Sequence, residues 1–143
     1  MKPPVLLTYN LHGERAAKIR MAAMRFRVRL RAVERREYAR PLGELVENGP
    51  DGDWNGKAFD EEMLVMAHFP PVLVQAFLQG LRRAGVRPGG LKAVLTPTNA
   101  QWDSRALYTE LCREREAISQ GAASVAFRPE KTSWKTGSFS AVF

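Results

Sequence analysis

Apolar residues fall along the chain in short blocks whose spacing changes from one block to the next. Val5 to Tyr9 is a compact apolar run behind two prolines, which predicts a buried strand. Asn10-Leu11-His12-Gly13 follows as a loop. From Glu14 to Phe26 the residues Ala16, Ile19, Ala23 and Phe26 share one face, while Arg15, Lys18 and Arg25 share another. That spacing predicts an amphipathic helix. Arg27-Val28-Arg29-Leu30-Arg31-Ala32-Val33 then alternates strictly, the pattern of a strand with one wet face. Pro41 opens a short helical turn through Val46.

Asn48 to Lys57 is a loop rich in Gly, Asp and Asn, and a second strand–helix–strand unit comes after it. Met63 to Ala67 predicts the strand. Pro70 and Pro71 sit where prolines are tolerated at the start of a helix, which runs to about Ala84 with Val74, Phe77, Leu78 and Leu81 inward. Gly85 stops it. Leu91 to Thr96 predicts the next strand, and Thr98-Asn99 leads into a helix from about Asp103 to Ser119, with Asp103 or Ser104 as N-cap. Gly121 to Phe143 has no period and predicts a flexible tail. The expected organisation is one α/β domain over 1–119 and a disordered tail over 120–143.

Strand–helix–strand units join parallel neighbours by a right-handed crossover. Two of them predict a small open four-stranded, largely parallel sheet flanked by helices. The alternative is a ferredoxin-like α+β arrangement, and both place the first and third strands centrally. Val5-Leu6-Leu7 and Met63-Leu64-Val65-Met66 are apolar on consecutive residues, so helices should cover both faces. The open sheet is therefore expected, with the arginine-alternating strand at an edge.

Charge sharpens this picture. The 143 residues carry 22 Lys and Arg against 15 Asp and Glu, a net charge of +7. Between His12 and Arg40 lie ten of the basic residues and only Glu14, Glu34 and Glu37, so this segment alone holds the excess. Such a face attracts anions: an acidic protein partner, an anionic small molecule or nucleic acid. The single cysteine, Cys112, suits a reducing cytoplasm, and no stretch approaches the ~20 apolar residues that span a bilayer.

In an open α/β sheet, the loops after the strands' carboxyl ends gather into a crevice. Those loops supply Asn10, His12 and Gly13 after the first strand, His68 after the third, and Thr96, Thr98 and Asn99 after the fourth. They are the candidate ligand-binding residues, and helix N-termini there favour an anion. The competing reading gives Thr98 and Asn99 turn and capping bonds and makes His68 a loop residue. Arg25, Arg27, Arg29 and Arg31 form a second candidate, a guanidinium stripe able to grip phosphates. Charged side chains also protect an exposed edge strand, and the stripe lacks the interleaved aromatics of a single-strand nucleic-acid platform. Asp51, Asp53, Asn55 and Glu62 match the spacing of an EF-hand calcium loop. Gly49-Pro50 leaves no entering helix, and a strand pattern follows Glu62, so the expected cofactor set is none, with calcium as the alternative. Neither a Gly-rich phosphate loop nor a nucleophile elbow is present, and no catalytic set is complete.

Met63-Leu64-Val65-Met66, the string Leu91-Lys92-Ala93-Val94-Leu95-Thr96-Pro97-Thr98-Asn99 with Trp102, and Leu107-Tyr108 with Glu110-Leu111 together carry a family likeness. With Val5-Leu6-Leu7 and Tyr9-Asn10-Leu11, the chain from about Pro4 to Glu116 resembles an uncharacterised bacterial family, domain of unknown function 3783. The resemblance implies an α/β fold and no reaction. The expected function is a small non-catalytic cytoplasmic module that binds an anionic ligand or a protein partner. Two alternatives stand beside it: an enzyme or phosphate-ligand protein using His12 and Asn99 at the strand-end crevice, and nucleic-acid binding through residues 12–40.

Overall fold

The computed structural model describes residues 2–87, 89–119 and 139–142. The first unit is β1 (Val5–Tyr9), α1 (Gly13–Arg25) and β2 (Arg29–Ala32), followed by a 3-10 turn at Arg35–Glu37 and α2 (Leu42–Glu47). The second is β3 (Met63–Ala67), α3 (Pro71–Arg83) and β4 (Leu91–Val94). A 3-10 turn at Asn99–Gln101 leads to α4 (Ser104–Ser119), whose first turn is capped by Asp103 Oδ1 accepting from the Ala106 amide at 2.8 Å.

The two crossover helices stop by the same device. After α3, Gly85 has φ +85°, and the Val86 amide donates to Leu81 O at 2.9 Å. After α1, Arg27 has φ +59°, and the Val28 amide donates to Ala23 O at 2.7 Å. Arg27 thus belongs to a helix stop, and β2 begins at Arg29 rather than at Arg27 where the alternation starts.

The sheet order is β2-β1-β3-β4-β5. β1 and β2 are parallel, as are β3 and β4, so β1–β4 form the small open sheet with two of its three pairings parallel. The central pairing is antiparallel, with Val5 opposite Ala67 and Tyr9 opposite Met63. The connection from β2 to β3 had room to cross the sheet but returns to the rim it left. Asn10 holds it there, its Nδ2 donating to Phe59 O and Glu61 O, each at 3.0 Å. Of the tail expected over 120–143, residues 120–138 and Phe143 lie outside the described residues. Phe139–Val142 instead form β5, antiparallel to β4, whose four residues are all buried.

Helices cover both faces, and strand alternation sorts the core into two layers. Val5, Leu7, Tyr9, Met63, Val65, Leu91 and Ala93 meet α2 and α4 through Leu42, Leu45, Leu107 and Leu111. Leu6, Leu64, Met66 and Val94 meet α1 and α3 through Ile19, Ala23, Val74 and Phe77. Over the first layer lies an aromatic stack in which Phe59 is 4.6 Å from Tyr38 and 4.1 Å from Tyr108, centroid to centroid. Among the described residues no helix is long and apolar enough to cross a membrane.

Candidate functional site

The antiparallel β1–β3 pairing divides the crevice expected from the sequence. Asn10, His12 and Gly13 follow the carboxyl end of β1. His68, Thr96, Thr98 and Asn99 follow the carboxyl ends of β3 and β4, on the opposite rim. The shared cleft of the sequence reading is corrected accordingly: two strand units meeting head to tail send their exits apart.

On the second rim the polar residues hold the backbone. Asn99 Oδ1 accepts from the Thr96 amide at 2.8 Å, Asn99 Nδ2 donates to Val94 O at 3.0 Å, and the Asn99 amide donates to Thr96 Oγ1 at 3.1 Å. Both residues are buried, and Thr98 is exposed at the first position of the turn. These are turn and capping bonds, the competing reading of this string. His68 has φ +61° and lies 3.4 Å from Glu47, which also pairs with Lys2. Those two partners lower the Glu47 carboxyl below its ordinary pKa.

The first rim holds a cleft of about 410 Å³. It opens between the carboxyl ends of parallel β1 and β2 and the first turns of α1. Its polar wall is Asn10, His12, Arg20 and Arg35, with Glu34 as the one acidic contribution; its floor includes Leu30 and Ala32. His12 is the exposed N-cap residue of α1, and its side chain makes no capping bond. Gly13, φ +62°, begins the helix beside it. Arg35 pairs with Asp60, both side chains being exposed. Arg20 has no ion-pair partner among the described residues. Sequence reasoning gave this site Asn10, His12 and Gly13 but missed Arg20 and Arg35. The signal was available: the rule about strand ends also applies to the segment after β2, where Arg35 lies, and Arg20 is two turns along α1 from His12.

The guanidinium stripe divides as well. Arg25 and Arg27 are exposed at and just after the end of α1, before β2 begins at Arg29. Arg29 donates to Val46 O at 3.0 Å. Arg31 forms a two-bond pair with Glu37, Nη1 to Oε2 and Nη2 to Oε1, both at 2.8 Å. Glu37 is fully buried and also accepts from Arg40 and from the amides of Glu34 and Asp51. Burial alone would raise its carboxyl pKa, but Arg31 and the two amides outweigh that and bring it down to about 2. Arg31 is therefore bound internally, whereas Arg20 and Arg29, on either side of β2, have no carboxylate partner among the described residues.

In the loop with calcium-like spacing, both oxygens of Glu62 face Arg15, whose Nε lies 2.9 Å from Oε2. Asp51 contributes its amide to Glu37, and Asp53 and Asn55 are exposed. Among the described residues, no group of three or more His, Cys, Asp or Glu side chains is placed to hold a metal ion. Cys112 is half-buried on α4, with Arg115 Nη2 3.6 Å from its sulfur.

Residues 62–118 match the profile of a family described as a domain of unknown function, DUF3783. The matched stretch takes in β3, α3, β4 and nearly all of α4, whereas the first rim cleft and the basic segment precede it. No curated protein and no solved structure matches the chain.

Proposed function

We propose that this chain is a non-catalytic module that binds an anionic partner on the flank of the sheet formed by β2 and α1. The observation that carries the reading is the rim cleft, where Arg20 stands without a counter-ion among the described residues, beside Arg35, His12 and the amino end of α1. Cation clusters at such a concave site concentrate anions. Arg29, whose side chain among the described residues bonds only to the neutral Val46 carbonyl, extends the field along the same strand. A catalytic role for His12 with Asn99 lacks support, because they lie on opposite rims and Asn99 is committed to the turn. The unpaired Cys112 suits a reducing cytoplasm as the place of action.

Titration with inorganic polyphosphate tests the reading. Affinity should fall at least tenfold between about 50 and 200 mM salt, and Arg20→Ala combined with Arg29→Ala should weaken it by a similar factor at low salt. Neither substitution removes an ion pair found among the described residues. Salt-independent affinity, or affinity unchanged in the double variant, overturns the proposal.

A further inference from the structure

β2 is the end strand of the sheet, and its outer edge carries no partner strand among the described residues. The Arg29 amide donates to Pro4 O at 3.0 Å and the Val33 amide to Thr8 O at 2.9 Å. In a strand alternate residues bond to the same neighbour, so the main-chain groups of Leu30 and Ala32 face outward. There the Ala32 carbonyl accepts from Arg31 Nη1 at 3.2 Å, an exposed bond that an added strand would replace. Ala32 is exposed and Leu30 half-buried.

The edge is flanked by a concavity on each face. On the α1 face is the 410 Å³ cleft, floored by Leu30 and Ala32 with Arg20 and Arg35 on its walls. On the α2 face is a second depression of about 220 Å³, lined by Arg29, Arg31, Leu45, Val46 and Pro50 among others. An open edge with hollows on both sides matches what an extended peptide requires: main-chain bonds for affinity, and a place for every second side chain on each face.

From this we infer that β2 takes up an extended acidic peptide as an added strand, its side chains falling alternately into the two hollows. The inference rests on the anion-binding reading and gives it a partner. Charge selects the occupant. Among the described residues Arg20 and Arg29 have no carboxylate partner, whereas Arg31 and Arg40 pair with Glu37 and Arg40 also with Glu44. The unbalanced positive charge at the edge is therefore Arg20 on the α1 face and Arg29 on the α2 face. A second copy of this chain is disfavoured, because pairing β2 with itself antiparallel about Leu30 would set Arg29 of each copy opposite Arg31 of the other. Like charges directly opposite destabilise a strand pair. The arginines that guard the edge against self-association thus favour an acidic strand.

The probe is the capped peptide Val-Glu-Val-Glu-Val-Glu-Val, compared with two versions N-methylated at every second residue, one at the valines and one at the glutamates. The unmodified peptide should bind and protect the amides of Leu30 and Ala32 from hydrogen exchange. One N-methylated version should lose at least tenfold in affinity while the other retains it, since only one set of peptide amides faces β2. Ala32→Pro, which removes an outward amide at an edge position where proline is tolerated, should weaken binding by a similar factor. Its circular dichroism shows whether the fold survives, and the methylated peptides serve if it does not. Equal affinity of the two methylated versions overturns strand addition while leaving anion binding intact. Binding of polyphosphate without binding of the peptide overturns the peptide as partner. Failure of both probes removes this inference and the reading beneath it.

Discussion

Arg31 and Glu37, six residues apart across the end of β2, meet in a two-bond ion pair with the carboxylate fully buried. The pair joins the edge strand to the following turn, and Arg40 and the Asp51 amide extend it into the loop beyond α2. Removing one side of a buried pair leaves the other uncompensated, at a cost of about 3–5 kcal/mol. Glu37→Gln should therefore lower stability by about that amount near neutral pH, measured by urea unfolding. The unfolded carboxyl titrates near its ordinary value of 4.5 and the folded one near 2, so the unfolded chain binds more protons between them. The stabilisation is complete above 4.5 and is lost as pH falls towards 2. The gap between wild type and Glu37→Gln should shrink across that window; a constant gap would show that Glu37 is not held ionised.

Arg27 and Gly85 occupy equivalent places after the two crossover helices, both with positive φ, and each is followed by a buried valine, Val28 or Val86. A left-handed conformation costs an L-residue more than it costs glycine. Arg27→Gly should stabilise the protein by about 0.5–1 kcal/mol, raising Tm by roughly 2–4 °C. Arg27→Ala removes the same charge without relieving the backbone and should give no gain. Equal effects of the two substitutions would assign the change to charge.

The strands were legible because β1 and β3 are buried on both faces and leave unbroken apolar runs, and α3 was legible because Val74, Phe77 and Leu81 mark its inner side. The placement of β2 at an edge followed from its arginines. The direction of β3 was not legible. It depends on the Asn10 amide catching Phe59 O and Glu61 O some fifty residues away, and no local spacing records such a bond. From that one reversal follows the division of the expected crevice. The fate of the arginine stripe was hidden for a related reason: alternation places Arg29 and Arg31 on one face, but only the fold reveals that Glu37 already neutralises Arg31. The Leu91–Asn99 string drew attention through its polar end, and its bonds turn inward.

Asn99 tests that last distinction. Its side chain satisfies the buried Thr96 amide and the Val94 carbonyl, and alanine would leave both unpaired. Asn99→Ala should destabilise by about 2–3 kcal/mol in urea unfolding, yet leave the polyphosphate affinity of the folded protein unchanged. Weakened affinity with unaltered stability would return Asn99 to the list of ligand contacts.

Lys92 gives a pH dependence of the same sense as that of Glu37, in an alkaline window and as a penalty relieved rather than a stabilisation gained. It lies on β4, 5% exposed, on the face covered by α1 and α3, with Nζ donating to Gly89 O at 3.1 Å. Burial lowers its pKa from 10.5 to about 8; Glu62 opposes that shift, and Arg15 and Arg82 add to it. Between pH 8 and 10.5 the folded amine is largely neutral while the unfolded one is still protonated. The unfolded chain then binds more protons, so this group's contribution rises with pH. Below pH 8 the buried charge imposes its full penalty. Lys92→Met should therefore stabilise the protein by about 1–2 kcal/mol at pH 7, within the range seen when buried charges give way to apolar residues. The advantage should fade as pH approaches 10, because the wild-type amine loses its charge in the fold. Measuring both proteins by urea unfolding at pH 7 and pH 10 decides the matter: an advantage of the same size at both would mean that the folded amine keeps an ordinary pKa.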